Sequence, residues 1–426
     1  MRILQPQDQT LWYVQKTPIQ RLPHSLKTDI VVVGGGMAGL SAAQSFRDKG
    51  YKVVLLEQNY CGSGASGKSS GFITPDSELS LAYFLKKYGA EEAKKIWDFV
   101  GAGLEHIRSN IKKFSIICDY QEQDTLVVAN NTSTFKSDIE KEHQARTSLG
   151  FDSTLYTQKL VPNILGSDKY YGGIRYGATF GINAYLYCQA MKKVLLDNNV
   201  AVYEDTPVTE LRPRSVVTPF GTVQADYIVV CTDRFVPDLG KLTRQVYHAQ
   251  TFLMISQILT DTEIRAIFPE TNLMVWDTDF IYHYYRIGPE NRLMLGGASL
   301  YTMYNKQAKH NNMSAAKNLV TYFRTKFPHS KTEFRYIWPG LIGISKNLMP
   351  IADFDAQHKH IYYVTAAAGL PWAAALGNYS CERIVNNKND FDSYFSASRS
   401  TVLDNVTHTL LGKRLSFAIA NLITLS

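Results

Sequence analysis

Asp29-Ile-Val-Val-Val-Gly-Gly-Gly-Met-Ala-Gly39, a helical run to Gly50, and Tyr51-Lys-Val-Val-Leu-Leu-Glu57 together decide the fold of this 426-residue chain. They read as a buried strand, a glycine turn, a helix and a second buried strand that ends in an acid. Gly34, Gly36 and Gly39 fit G-x-G-x-x-G. The first glycine makes the tight turn, the second lets a pyrophosphate approach the backbone, and the third lets helix and strand touch. Met37 and Ala38 open the helix, whose free N–H groups face the phosphates. Glu57, with Gln58 beside it, stands near the offset of ~20 residues at which a carboxylate meets a ribose diol. A carboxylate there repels a 2′-phosphate, so FAD or NAD is expected rather than NADP. A glycine turn alone is common, but the complete strand–turn–helix–strand–acid unit is specific.

Cys61-Gly-Ser-Gly-Ala-Ser-Gly-Lys-Ser-Ser-Gly-Phe-Ile73 follows, with four glycines and four serines. Gly64, Ala65, Ser66, Ser70, Gly71 and Phe72 form a loop able to present N–H groups and hydroxyls to phosphate or to a ring edge. The alternative reading is a flexible connector.

Working outward, residues 1–28 read as an arm laid along the surface. Glu78 to Lys113 is helical by its apolar spacing, Thr134 to Leu149 is a polar helix, and Ala184 to Asn198 is another helix. Thr206–Leu211, Ser215–Thr218 and Thr222–Ala225 read as a small meander. Asp226–Asp233, containing Thr232, reads as a separate buried strand that rejoins the nucleotide sheet. Residues 236–335 change character: strands Thr251–Ile258, Phe280–Ile287 and Arg292–Gly297, then a helix from Ser314 to Phe327, predict an antiparallel sheet with a helix. His358–Thr365 is one more buried strand. Ala366 to Gly377 is a small-residue turn entering a helix, again suited to a ligand at a helix N-terminus.

The predicted class is α/β: a Rossmann-like nucleotide-binding domain with an inserted antiparallel-sheet substrate domain. The nucleotide-binding part is expected over 29–80, 170–235 and 336–390, the substrate part over 81–169 and 236–335, and a helical tail over 391–426. Its last stretch, Lys413–Ser426, is apolar with basic residues before it and too short to span ~30 Å of hydrocarbon. It reads as a docked helix or as a weak membrane-surface contact.

Composition excludes several classes. The net charge of +7 comes from 45 basic against 38 acidic residues spread along the chain, so no nucleic-acid partner is expected. The five cysteines include no C-x-x-C pair. No metal site is expected, and a reducing, cytoplasmic compartment is. There is no apolar run long enough for a transmembrane helix and no signal-peptide core at the start. No H-E-x-x-H or G-x-S-x-G is present. Oligomeric state is not legible.

The whole resembles the D-amino-acid-oxidase-like (DAO) family of FAD-dependent oxidoreductases. Within it the chain is similar to the γ-glutamylputrescine oxidoreductase and glycine/sarcosine oxidase type. The resemblance rests on Asp29–Ala43, Gly64–Gly71, Tyr171-Gly-Gly173, Thr206-Pro-Val208, Tyr284-Tyr-Arg286 with Arg292–Gly297, and Trp338-Pro-Gly-Leu-Ile-Gly343 with Met349-Pro350. It implies bound FAD, its phosphates at Gly34–Gly39, its ribose at Glu57 and its flavin beside Gly64–Phe72. It places the adenine near Val208 and the flavin's pyrimidine edge at Gly369, Leu370, Pro371 and Trp372. There are departures from the family pattern. Lys68-Ser69-Ser70 replaces Arg-Asn-Gly in the loop. Pro371 stands in the C-terminal turn and removes a donor. Ile342 stands where α-amino-acid oxidases carry a carboxylate-binding Arg, so a simple α-amino acid is disfavoured as substrate. No Cys lies between Cys231 and Cys381, so the FAD is expected to be non-covalent. Met294 stands where some relatives place an oxygen-activating Lys, so poor oxygen reactivity is expected.

The resemblance implies oxidation of the C–N bond of a small-molecule amine or amino-acid-like substrate to an imine by hydride transfer to flavin. The strand Phe280–Ile287 is the expected substrate wall. Alternation puts Tyr282, Tyr284 and Arg286 on one face and His283 and Tyr285 on the other, and the sequence does not say which face lines the site. Tyr284 and Tyr285 are candidates to orient an amine, His283 to act as base, and Arg286 to bind a distal carboxylate. Each also reads as sheet packing or a structural ion pair. Tyr336 and Lys346 are secondary candidates. Two other readings stay open: a flavoprotein of this fold with altered or lost amine chemistry and a partner- or RNA-linked role, and an NAD-dependent dehydrogenase.

Overall fold

The computed structural model describes residues 5–6, 10–12, 20–279, 282–299 and 312–399. The tail 413–426 and Phe280–Ile281 lie outside the described residues.

Ile30, Val31, Val32 and Val33 are all buried, as are Val53–Leu56, because both faces of this sheet are covered. Strand Leu26–Val33 sits at the centre. Val53–Leu56 runs parallel on one side of it, followed by Ala201–Tyr203, and Gly221–Val230 runs parallel on the other, followed by Ile361–Thr365. Alternation sorts the side chains. Ile30, Val32, Val53 and Leu55 pack under the helices Met37–Asp48, Ala184–Asp197 and Leu370–Val385. Val31, Val33, Val54 and Leu56 pack against Leu22, Val216 and Val223 on the other face.

The third strand of the meander and the buried strand after it prove to be one element, Gly221–Val230. Its first half pairs antiparallel with Ser215–Thr218 and its second half parallel with Ile361–Thr365. The exposed Asp226 does not interrupt it, because burial there alternates with exposure along a strand covered on one face.

A second, nine-stranded sheet runs in the order Gln5–Pro6, Phe334–Ser345, Val246–Ile258, Arg292–Ser299, His283–Gly288, Met274–Asp277, Thr125–Val128, Gly172–Tyr176, Thr154–Thr157. It is antiparallel except at Gln5–Pro6 and between Met274–Asp277 and Thr125–Val128. Residues 170–176 and 336–345 were grouped above with the nucleotide-binding part. The strands Gly172–Tyr176 and Phe334–Ser345 belong instead to this sheet, because their backbone groups find partners there.

The back face of the sheet carries Phe252, Met254, Tyr285, Ile287, Leu293 and Leu295, covered by Ala316, Leu319 and Phe323 of helix Asn312–Lys326. The front face carries Leu253, Ile255, Met294, Trp338, Tyr284 and Tyr336.

The helical stretch after Glu78 is two helices, Leu81–Tyr88 and Ala90–Lys113. Gly89, at φ +84°, ends one and begins the other, in the left-handed region that glycine enters without strain. The longer helix packs on Leu370–Val385 so closely that a Cβ on Gly103 would stand 2.1 Å from Pro371 O. Among the described residues, no helix is long and apolar enough to cross a membrane.

Candidate active site

The glycine turn is built from backbone contacts. Gly34 has φ +108°, and a Cβ there would meet Cys231 O at 2.5 Å. A Cβ on Gly39 would meet Gly34 O at 1.9 Å. Helix Met37–Asp48 has no side-chain cap at Gly36; the Met37 N–H donates to Ser66 Oγ at 3.0 Å. A Cβ on Ala-sized residues at Gly36 would meet only that same Ser66 Oγ, at 3.2 Å.

Glu57 is 7% exposed. The Gly35 N–H donates to its Oε2 at 2.7 Å, and the Asn59 N–H and Ser63 Oγ donate to its Oε1 at 2.9 and 3.2 Å. Burial raises its pKa, opposed by these bonds. Glu57 therefore also ties the phosphate turn to the loop that follows, which the ribose assignment alone does not require. The start of that loop is fixed by the buried Lys192–Glu204 pair at 3.2 Å, with the Cys61 N–H donating to Glu204 Oε1 at 2.7 Å. Gln58 is exposed, and Val208 packs at the edge of the adjoining apolar cluster.

The loop is folded. Ala65–Lys68 forms one helical turn after Gly64. Two side chains from the front face of the second sheet fasten it. Trp338 Nε1 donates to Lys68 O at 3.0 Å, and Arg286 Nε donates to Ser70 O at 2.7 Å. Arg286 Nη2 donates to Ile182 O at 2.7 Å, and its Nη1 donates to Ile287 O at 3.1 Å and Gln123 Oε1 at 3.3 Å. Arg286 is 0% exposed, and burial lowers its pKa to about 10. Its guanidinium is committed to the chain's own oxygens, so the expected role in binding a substrate carboxylate gives way to that of a loop fastener. The fastening aligns Phe72 beside the sheet, where it pairs with Gly181 and stacks on Trp276 at 5.9 Å.

At the C-terminal turn Gly369 has φ +106° and Pro371 lies in the first turn of helix Leu370–Val385, with no side-chain cap. Trp372 Nε1 donates to Pro75 O at 3.2 Å, which lays the turn against the segment after the loop. Asp233 links this end to both sheets. Its carboxylate accepts from Gly343 N–H at 2.7 Å and Ala366 N–H at 3.2 Å, and its carbonyl from Thr365 Oγ1 at 2.9 Å. Burial raises its pKa against these bonds. No sequence motif announces Asp233; its only signal is an acid at a buried strand's end.

The strand His283–Gly288 divides its side chains between the two faces of the sheet. Tyr284 and Arg286 point to the front, with Tyr282 just before them. A Cβ on Gly296 would stand 2.1 Å from the Tyr284 ring, which lies over that glycine. His283 and Tyr285 point to the back. His283 stacks on Tyr322 at 3.8 Å and stands 3.4 Å from Asp277 Oδ2, while Tyr285 OH bonds Tyr170 OH at 3.1 Å. Both are therefore removed from the loop and its turn, which argues against their expected catalytic roles. Asp277, Asp279 and His283 bring possible ligand atoms within 4.8 Å of one another, and the charge of both carboxylates reaches the Lys326 ammonium, which donates to Asn130 Oδ1 at 2.6 Å and Lys169 O at 3.2 Å. Tyr336 lies in the front cluster and Lys346 is buried beyond the end of Phe334–Ser345.

Sequence reasoning missed Glu78. Its carboxylate accepts from Tyr282 OH at 2.9 Å on the front side.

The residues fit an FAD. The glycine cradle has no room for side chains at Gly34 and Gly39, the helix N-terminus starts at a glycine that supplies no cap of its own, and Thr232 Oγ1 beside the turn is buried without a partner. A glycine turn, a clamped serine–glycine loop and an aromatic sheet face, set on two large sheets, suit a nucleotide-cofactor protein.

The family model described as "FAD dependent oxidoreductase" (DAO) matches residues 29–383, and the chain belongs to that family. It is an FAD-dependent oxidoreductase, and the family's cofactor is FAD. It is 26% identical over 370 residues to "Probable oxidoreductase OrdL" of Haemophilus influenzae, covering 83% of this chain and 81% of that one. It is 26% identical over 385 residues to "Gamma-glutamylputrescine oxidoreductase" of Escherichia coli, covering 88% of each. Among solved structures it is similar to glycine oxidase from Geobacillus kaustophilus, with a TM-score of 0.73, 16% identity, and coverage of 88% of this chain and 99% of that one. It is likewise similar to L-proline dehydrogenase from P. horikoshii, with a TM-score of 0.74, 15% identity, and coverage of 88% and 98%.

Proposed function

We propose that this oxidoreductase oxidises the C–N bond of an amine to an imine. The observation that carries the reading is the front face of the second sheet. It presents half-buried aromatic rings, Met294 and the Glu78 carboxylate toward the clamped loop. No thiol joins that face: all five cysteines are buried elsewhere in the fold. The relatives named for γ-glutamylputrescine and glycine oxidation support the amine class.

When bound, FAD supplies the two-electron acceptor. Gly34–Gly39 and Glu57 would hold its phosphates and ribose, and Ser66–Phe72 with Gly369–Trp372 would border its ring system. The chain's own contribution is to position the substrate's α-carbon and to exclude water with Phe72, Tyr284 and Trp338. With Ile342 in the front strand and Arg286 spent on carbonyls, we propose an amine without an adjacent carboxylate. Met294 favours an acceptor other than oxygen. Anaerobic addition of primary and secondary amines to the purified protein tests this: a flavin spectrum bleached by an amine supports it, and one bleached only by an α-amino acid overturns the substrate class.

A further inference from the structure

Phe72, Trp276, Tyr282 and Tyr284 do not pack as a closed core; each is only partly buried. Phe72 stacks on Trp276 with ring centroids 5.9 Å apart and planes at 20°. Tyr284 meets Phe72 edge-on at 5.9 Å and 75°, and Tyr282 stands 5.9 Å from Tyr284. The four rings come from the end of the clamped loop and from two adjacent strands of the front face. Glu78 closes the group, its Oε1 accepting from Tyr282 OH at 2.9 Å.

The carboxylate is the anomaly. Among the described residues no Lys, Arg or His pairs with Glu78, and burial raises its pKa with only the Tyr282 bond opposing. A carboxylate packed beside aromatic rings with no cationic partner among the described residues is unfavourable unless a ligand supplies the charge. Ring faces and a carboxylate are together the chemistry that recognises an alkylammonium.

We infer that Phe72, Trp276, Tyr282, Tyr284 and Glu78 form a cage for a second, non-reacting alkylammonium group of the substrate. The enzyme then acts on diamine- or polyamine-like molecules, an inference that rests on the amine reading above. The caged nitrogen is not the reacting one. Loss of hydride from the α-carbon requires its nitrogen to be neutral, whereas a carboxylate and π faces hold a nitrogen in its charged form. The same carboxylate repels an α-carboxylate, in keeping with Ile342 and the committed Arg286.

The test uses the FAD-loaded protein. Choline, whose quaternary nitrogen cannot form an imine, and its neutral isostere 3,3-dimethylbutan-1-ol are titrated by calorimetry. Choline is expected to bind at least about ten-fold more tightly than the isostere, and Glu78→Gln to lose about ten-fold of choline affinity. Tyr282→Phe keeps the ring and is expected to lose roughly two- to five-fold, the size of one hydrogen bond. Flavin content of each variant reports folding. Equal binding of the two probes, or unchanged choline affinity in Glu78→Gln, overturns the cage.

A second arm separates the cage from the proposed reaction. KM is compared for an α,ω-diaminoalkane and the n-alkylamine of equal length. A lower KM for the diamine that disappears in Glu78→Gln supports both. Amine turnover with the KM gap intact in Glu78→Gln overturns the cage and keeps the amine reading. Choline binding through Glu78 with no flavin reduction by any amine overturns the amine reading and keeps the cage.

Discussion

The glycine turn and the front face of the second sheet are joined through the clamped loop but are specified differently. At Gly34–Gly39 recognition is done by backbone. What matters there is the absence of side chains, and three glycines at fixed spacing encode it. On the front face recognition is done by side chains from distant segments: Phe72, Glu78, Trp276, Tyr282 and Tyr284. No local spacing encodes that gathering. It depends on strand order and on Arg286 holding the loop against the sheet. A backbone-built site tolerates little change at a few positions, whereas a side-chain-built site can be retuned without loss of the cofactor.

That contrast can be broken in several places. The largest effect is expected at Gly39. Gly39→Val drives a side chain into Gly34 O, 1.9 Å from where its Cβ would stand, and should yield protein without flavin or no soluble protein. Flavin-to-protein absorbance reads this directly. Arg286→Met should come next, because it leaves Ser70 O and Ile182 O without their donor. Each buried unpaired carbonyl costs ~1–3 kcal/mol, so a loss of roughly 2–4 kcal/mol by denaturant unfolding is expected. A neutral outcome would return Arg286 to the substrate side.

Glu57→Ala removes the acceptor of the Gly35 N–H and should weaken FAD binding by roughly 10- to 100-fold, the worth of a charge-assisted bond. Burial raises the Glu57 pKa, so its acceptor is lost to protonation already above pH ~4.5, the ordinary range. Flavin release on acidification should begin above that pH and lose this phase in Glu57→Gln. Gly296→Ala sharpens the other side. Its methyl tips the Tyr284 ring, 2.1 Å from the Cβ position, and should raise the substrate KM by about ten-fold with flavin content unchanged. The smallest effect is expected at His283. His283→Ala removes the Tyr322 stack on the back face and should cost about 1 kcal/mol of stability with kcat/KM within about two-fold.

The nucleotide half was legible because its signals are local. Four consecutive β-branched residues, a glycine turn and Glu57 fall within one short run of chain. The inserted antiparallel sheet was legible as a class from alternation. Its front and back were not, because period-2 alternation separates Tyr284 from Tyr285 without saying which neighbours the loop. Arg286 illustrates the limit. Its position beside tyrosines suggests a ligand clamp, and only the fold shows its donors ending on Ser70 O and Ile182 O. Glu78 lay unread at the start of a helical pattern, where an acid ordinarily signals a helix beginning. The join at Asp226 was misplaced because a charge in a strand reads as a break, while the alternating half of Gly221–Val230 leaves that residue in solvent.

Amine oxidation with FAD held between the glycine turn and the front face is the proposal on which the other predictions rest. The most direct test is the visible spectrum of the protein as purified, recorded before and after anaerobic addition of a diamine. A non-covalent flavin spectrum that bleaches with the diamine and recovers on addition of an artificial electron acceptor is expected. A flavin spectrum that no amine bleaches would contradict the amine reading. A colourless protein that FAD does not reconstitute would contradict the account of the cleft itself.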